Sequence, residues 1–94
     1  MTSLFFTDIE GSSSLWEQNP VTMPEILRRH DQILTQTIEE AGGRIIKHTG
    51  DGVFAAFENG NPVEAAIAIQ LSIRGEEWQE IGELRIRSGH VLWQ

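Results

Sequence analysis

Apolar residues at Leu4, Phe5, Phe6 and Ile9 run together rather than alternating, which predicts a buried strand. Small polar residues follow in Gly11-Ser12-Ser13-Ser14, leading into a short helix at Leu15-Trp16-Glu17 that Asn19-Pro20 breaks. A second helix starts cleanly, with Thr22 as N-cap, Pro24 in the first turn and Glu25 three residues after the cap. It carries Ile26, Leu27, Ile33, Leu34, Ile38 and Ala41 on one face and stops at Gly42-Gly43. Residues 44–48 and 53–57 flank Thr49-Gly50-Asp51-Gly52 and predict a β-hairpin. The helix start signal returns with Asn61 as cap, Pro62 at the first helical position and Glu64 three residues after the cap. Val63, Ala66, Ile67 and Leu71 form its apolar stripe, which could extend to Trp78 across a weak point at Gly75. Beyond Gly82, residues 83–87 alternate like a strand with one wet face.

The order β-α-α-β-β-α-β, built about a hairpin, predicts a ferredoxin-like α+β sandwich, an antiparallel sheet with helices on one face. Residues 1–94 read as one domain, without repeats or linkers. With 94 residues, 39% of them hydrophobic, the chain suits a small globular unit whose core is thin enough to make association plausible. It has no cysteine, so a metal would rest on oxygen or imidazole, and oxygen favours Mg²⁺, Mn²⁺ or Ca²⁺ over Zn²⁺. A net charge of −7 disfavours a nucleic-acid surface, while a polyphosphate could bind if metal ions supplied the positive charge. The chain opens with a strand instead of a charged, apolar leader, and no apolar run reaches membrane-spanning length. The expectation is a cytoplasmic segment without membrane contact.

Two carboxylates add chemistry to this outline. Asp8 closes the first strand and Asp51 sits in the hairpin turn, so neighbouring strands would bring them to one sheet edge. Singly, Asp8 reads equally well as a cap for the next helix, and Asp51 as ordinary Asp-Gly turn chemistry. As a pair they repel unless a cation lies between them. Two carboxylates holding two metal ions is a recurrent arrangement for in-line phosphoryl transfer. Gly11, Ser12 and Ser13 enter a helix with free amides that attract phosphate, although alone they read as a Ser-capped turn. Ile9 could lend its backbone carbonyl to a metal. Lys47, four residues before Asp51, is either a solvated edge lysine or a donor to the ring nitrogens of a base. His48 points to the opposite face by strand alternation, and His30 and His90 lack partners at ligand spacing, so all three read as structural or exposed. Trp16, Trp78 and Trp93 read as core or interface residues, and Arg85 and Arg87 as the wet face of the last strand.

The blocks Phe5-Phe6-Thr7-Asp8-Ile9-Glu10-Gly11-Ser12-Ser13 and Lys47-His48-Thr49-Gly50-Asp51-Gly52 strongly resemble the catalytic domain of class III adenylate/guanylate cyclases. Leu84-Arg85-Ile86-Arg87-Ser88-Gly89 is similar, more loosely, to that family's fourth strand. The resemblance runs from about residue 3 to residue 89. It implies that Asp8 and Asp51, with the Ile9 carbonyl, bind two Mg²⁺ or Mn²⁺ ions. It implies that Gly11, Ser12 and Ser13 contact phosphates, and that Lys47 selects the purine and favours ATP. The reaction implied is attack of the ribose 3′-hydroxyl on the α-phosphate, giving a 3′,5′-cyclic nucleotide and pyrophosphate.

Family domains run on for many tens of residues after the position of Gly89. That part supplies a second base-selecting residue, the ribose-orienting asparagine and the transition-state arginine, and no residue here takes those roles. The family builds each site from two protomers, so a homodimer of this chain would lack the catalytic half, whereas pairing with a full-length cyclase domain could restore one site. The isolated chain is therefore expected to have little or no activity. A second class of function is a non-catalytic cyclase-derived module for nucleotide or metal binding, or for dimerisation. A third, a diguanylate cyclase or polymerase palm, is disfavoured because the turn reads Thr-Gly-Asp-Gly rather than Gly-Gly-Asp/Glu-Glu-Phe.

Overall fold

A computed structural model of the chain describes residues 2–93, excepting the side chain of Trp93; the expectation for that side chain lies outside the described residues. The predicted elements form in the predicted order: β1 (Thr2–Ile9), α1 (Ser12–Gln18), α2 (Met23–Glu40), β2 (Arg44–His48), β3 (Gly52–Phe57), α3 (Pro62–Arg74) and β4 (Ile86–Trp93), with a 3-10 turn at Gln79–Ile81. The strands make one antiparallel sheet in the order β2-β3-β1-β4. Helices α2 and α3 pack together over it, which is the expected α+β ferredoxin-like sandwich. Among the described residues, no helix is long and apolar enough to cross a membrane.

One sheet face is covered and the other is open, and this corrects the expectation for β1. Phe5, Thr7 and Ile9 are buried, while Phe6 is 48% exposed. The apolar run Leu4-Phe5-Phe6 therefore spans both faces of a half-covered strand. Phe5 meets Phe57 of β3 edge to face, with ring centroids 5.6 Å apart.

α2 buries Met23, Ile26, His30, Ile33, Leu34, Thr37 and Ile38, a stripe at helical spacing. Thr22 stands at its N-cap, but the hydroxyl donates to the Glu80 carboxylate at 2.6 Å instead of capping. The helix ends as predicted. Gly42 adopts φ 88°, and the amides of Gly42 and Gly43 reach back to the carbonyls of Glu39 and Ile38 in a Schellman closure.

α3 starts as predicted, with the Asn61 side chain accepting from the Glu64 amide at 3.1 Å. It ends at Arg74, and Gly75 caps it, so the stripe does not continue to Trp78. Trp78 still joins the core, its indole donating to the Ile73 carbonyl at 2.8 Å. The inward face is also different from the expected one. Ala65, Ile69 and Ile73 are buried, whereas Val63, Ile67 and Leu71 are 51%, 58% and 66% exposed. Both sets have the same four-residue spacing, and the helix is apolar almost all round, so periodicity could not choose between them.

β4 begins at Ile86 and not at Glu83. Leu84 is buried ahead of the strand, and Glu83 and Arg85 pair in the exposed approach to it. The alternation across residues 83–87 reflects those two inward side chains, Leu84 and Ile86, more than a ladder. Residues 86–93 then pair with the whole of β1.

Buried among these elements, His30 gives the fold a dependence on pH. Its ring is fully buried, Nδ1 lies 2.9 Å from the Asp31 carboxylate, and Nε2 has no partner among the described residues. Burial pushes its pKa below the ordinary histidine value, with Asp31 only partly opposing. As pH falls through about 6.5 the unfolded chain takes up this proton first. The contribution to stability is therefore full above that pH and is lost as pH drops towards the folded value. Urea midpoints measured at neutral and mildly acidic pH should fall for the wild type and fall less for His30→Gln; equal slopes would show that His30 is not responsible.

Candidate metal and nucleotide site

The end of β1 lies between two strands that carry the rest of the site. Asp8 stands opposite Gly52 of β3 on one side and opposite Arg87 of β4 on the other. Asp51 immediately precedes Gly52, and its backbone carbonyl accepts a hydrogen bond from the Ile9 amide at 3.1 Å. The backbones of the two aspartates are thus close at the end of β1.

Gly52 and Thr7 make that approach possible. A Cβ on Gly52 would lie 1.8 Å from the Thr7 carbonyl oxygen, so only glycine lets the hairpin come this close. The Thr7 hydroxyl accepts from the Val53 amide at 3.1 Å, a buried bond that holds β3 against β1. Neither role was visible in the sequence, where Gly52 reads simply as a turn residue.

Asp8 does not cap α1. The N-cap is Gly11, at φ 66°, with no side-chain cap. Ser12 sends its hydroxyl to the Asp51 carboxylate, Oγ donating to Oδ2 at 3.0 Å, while Gly11 and Ser13 are exposed. The small-residue loop therefore abuts Asp51. Ile9 keeps its side chain in the core, so only its backbone is available to the site.

Lys47 reaches the same side of the sheet through an irregularity. It stands opposite Phe54, which stands opposite Phe6, and the β2–β3 register shifts between Ile45 and Lys47. Cross-strand partners share a face, so Lys47, Phe54 and Phe6 lie on the open face, as does Asp8 two residues along β1. Ile45, by contrast, packs against the core. In a regular strand Lys47 would share its face; the extra residue, Ile46, turns Lys47 outward. His48 stands opposite buried Val53 and so lies on the helix side, with Nδ1 3.9 Å from Asp31.

Arg87 is a further residue whose place at this site was not visible in the sequence. Its Nε and one terminal nitrogen donate to the two oxygens of Asp8, each at 2.8 Å. Both belong to the wet face, as expected for Arg87, but the register that pairs them joins residues far apart in the chain.

Among the described residues, no three histidine, aspartate or glutamate side chains form a group that could hold a metal. A divalent ion here would rest on Asp8, Asp51 and the Ile9 carbonyl. So few protein ligands fit a hard cation such as Mg²⁺, which keeps several waters and takes further oxygens from phosphates.

Solved structures with this architecture include cyclases. A bacterial light-regulated adenylyl cyclase superposes with a TM-score of 0.81 at 28% identity, covering 97% of this chain and 54% of that one. The guanylate cyclase domain of RhGC from Catenaria anguillulae, in complex with GTP, superposes at 0.79 over 95% of this chain and 54% of that one; at 19% identity it speaks for the fold alone. In sequence, the adenylate cyclase of Schizosaccharomyces pombe is 30% identical over 80 residues, which cover 81% of this chain and 5% of that protein. The chain belongs to the adenylate and guanylate cyclase catalytic domain family, whose sequence model it matches over residues 1–83. It spans a small fraction of that relative's length and just over half of each of these two solved chains.

Proposed function

We propose that this chain is the metal- and base-binding part of a cyclase site that converts ATP to 3′,5′-cyclic AMP and pyrophosphate. The observation that carries this reading is the register of Asp8 against Gly52, which sets Asp51 beside Asp8 at the end of β1. In it, Asp8, Asp51 and the Ile9 carbonyl hold divalent ions, Mg²⁺ or Mn²⁺. When bound, such ions lower the pKa of the attacking 3′-hydroxyl and offset charge on the triphosphate. Gly11, Ser12 and Ser13 receive phosphate oxygens through backbone N–H groups and hydroxyls, and Lys47 donates to the purine. The 3′-oxygen bonds to the α-phosphorus as the bond to the bridging oxygen of pyrophosphate breaks.

The 94-residue polypeptide corresponds to 54% of a solved cyclase chain, and the reading assigns it no transition-state arginine. Loss of such a group costs about three to five powers of ten in phosphoryl transfer. The polypeptide alone should therefore turn over little or no ATP, and a complete site would need a second cyclase domain beside it. The reading places this segment in the cytoplasm. Titration calorimetry with an uncleavable ATP analogue tests it: binding should require Mn²⁺ and favour the adenine over the guanine nucleotide. Metal-independent binding, or none, would favour the second reading, a cyclase-derived module kept for dimerisation, for which the open apolar sheet face around Phe6 speaks.

A further inference from the structure

The guanidinium of Arg87 is seated on the carboxylate of Asp8, the group a metal would use. Both Asp8 oxygens accept from it at 2.8 Å, in the planar fork that suits a carboxylate best. The pairing is built into the sheet, because Asp8 and Arg87 are directly opposed in the β1–β4 ladder. The neighbouring arginine on the approach to β4, Arg85, has its own carboxylate in Glu83 and does not compete for Asp8. Arg87 is also 63% exposed in its side chain, against 43% for Asp8, so it can leave the carboxylate for solvent without opening the core. A shallow pocket of about 220 Å³, lined by Phe6, Thr7, Asp8, Arg87 and Ser88, lies beside the pair.

We propose that Arg87 is a built-in competitor for the metal at Asp8: its guanidinium holds the carboxylate in place of a divalent cation, and metal loading requires its displacement. This rests on the reading of Asp8 as a metal ligand. The guanidinium forked across both oxygens takes up one lone pair of each, and a divalent ion brought to the remaining lone pairs is repelled by it. The ion pair therefore raises the metal concentration at which the site fills, while keeping Asp8 oriented and its charge matched beforehand. Arg87 is a positioning and gating residue, not a ligand.

Mn²⁺ titrations monitored by the electron paramagnetic resonance of the free ion test this on the metal-free chain without any activity assay. Arg87→Gln should bind Mn²⁺ about three- to tenfold more tightly than wild type. Arg87→Lys, which keeps the charge but offers a point donor in place of a fork, should fall between them. Circular dichroism checks that each variant is folded, and the lysine variant covers the case in which glutamine is not. Unchanged or weaker Mn²⁺ binding in Arg87→Gln, with saturable wild-type binding that Asp8→Asn removes, overturns the competitor role and leaves the metal reading standing. No saturable binding in any variant overturns both.

Discussion

Gly52→Ala should destabilise the fold by about 3 kcal/mol or more, among the larger single-residue effects. The reason is steric and local. The added Cβ would sit 1.8 Å from the Thr7 carbonyl oxygen and 2.8 Å from its carbon, and both are backbone atoms in the central strand. No rotamer change relieves that contact, so β3 must move away from β1. The same movement stretches the buried bond from the Val53 amide to Thr7 and the bond from the Ile9 amide to Asp51. Gly50→Ala is the control. Gly50 has φ 92° but nothing within 4 Å of an added Cβ, so its cost is only that of the left-handed conformation, about 1–2 kcal/mol. Urea unfolding followed by tryptophan fluorescence would rank the two. If Gly52→Ala were no worse than Gly50→Ala, the close approach of hairpin and strand would be wrong, and with it the placement of Asp51.

That the backbones of the two aspartates lie close was legible because each is marked locally. Asp8 ends an apolar run and Asp51 sits between two glycines in a turn, and a hairpin beside the first strand does the rest. The features that need register were not legible. Arg87 and Asp8 are 79 residues apart, and only the ladder between β1 and β4 brings them together. Lys47 illustrates a subtler limit. Its distance along the chain from Asp51 can be counted, but the face it takes depends on the irregularity at Ile46. The inward face of α3 failed for another reason. Val63, Ile67 and Leu71 make as good a stripe as Ala65, Ile69 and Ile73, so the choice fell to tertiary packing, which seats the smaller Ala65 against the core. The end of α3 was ambiguous in the same way, because Trp78 is buried but is reached through a turn after Gly75.

Asp8→Ala should weaken Mn²⁺-dependent binding of an ATP analogue by at least about 100-fold, since even outer-sphere partners of a metal are worth 10- to 100-fold. The fold should tolerate the change. Asp8 is half-exposed, its only side-chain partner among the described residues is Arg87, and exposed ion pairs contribute about 1 kcal/mol or less. Calorimetry would read the affinity and thermal unfolding would confirm the fold. The variant is most informative beside Arg87→Gln. Each breaks the same ion pair, so a purely structural role for that pair predicts the same small loss of stability in both and no consistent effect on ligand. A metal role for Asp8 predicts opposite signs: metal binding is lost with the carboxylate and strengthened with the guanidinium removed. If Asp8→Ala kept its metal-dependent affinity, the carboxylate would be an ordinary cross-strand partner of Arg87. The family's fold would then be present here without its metal chemistry.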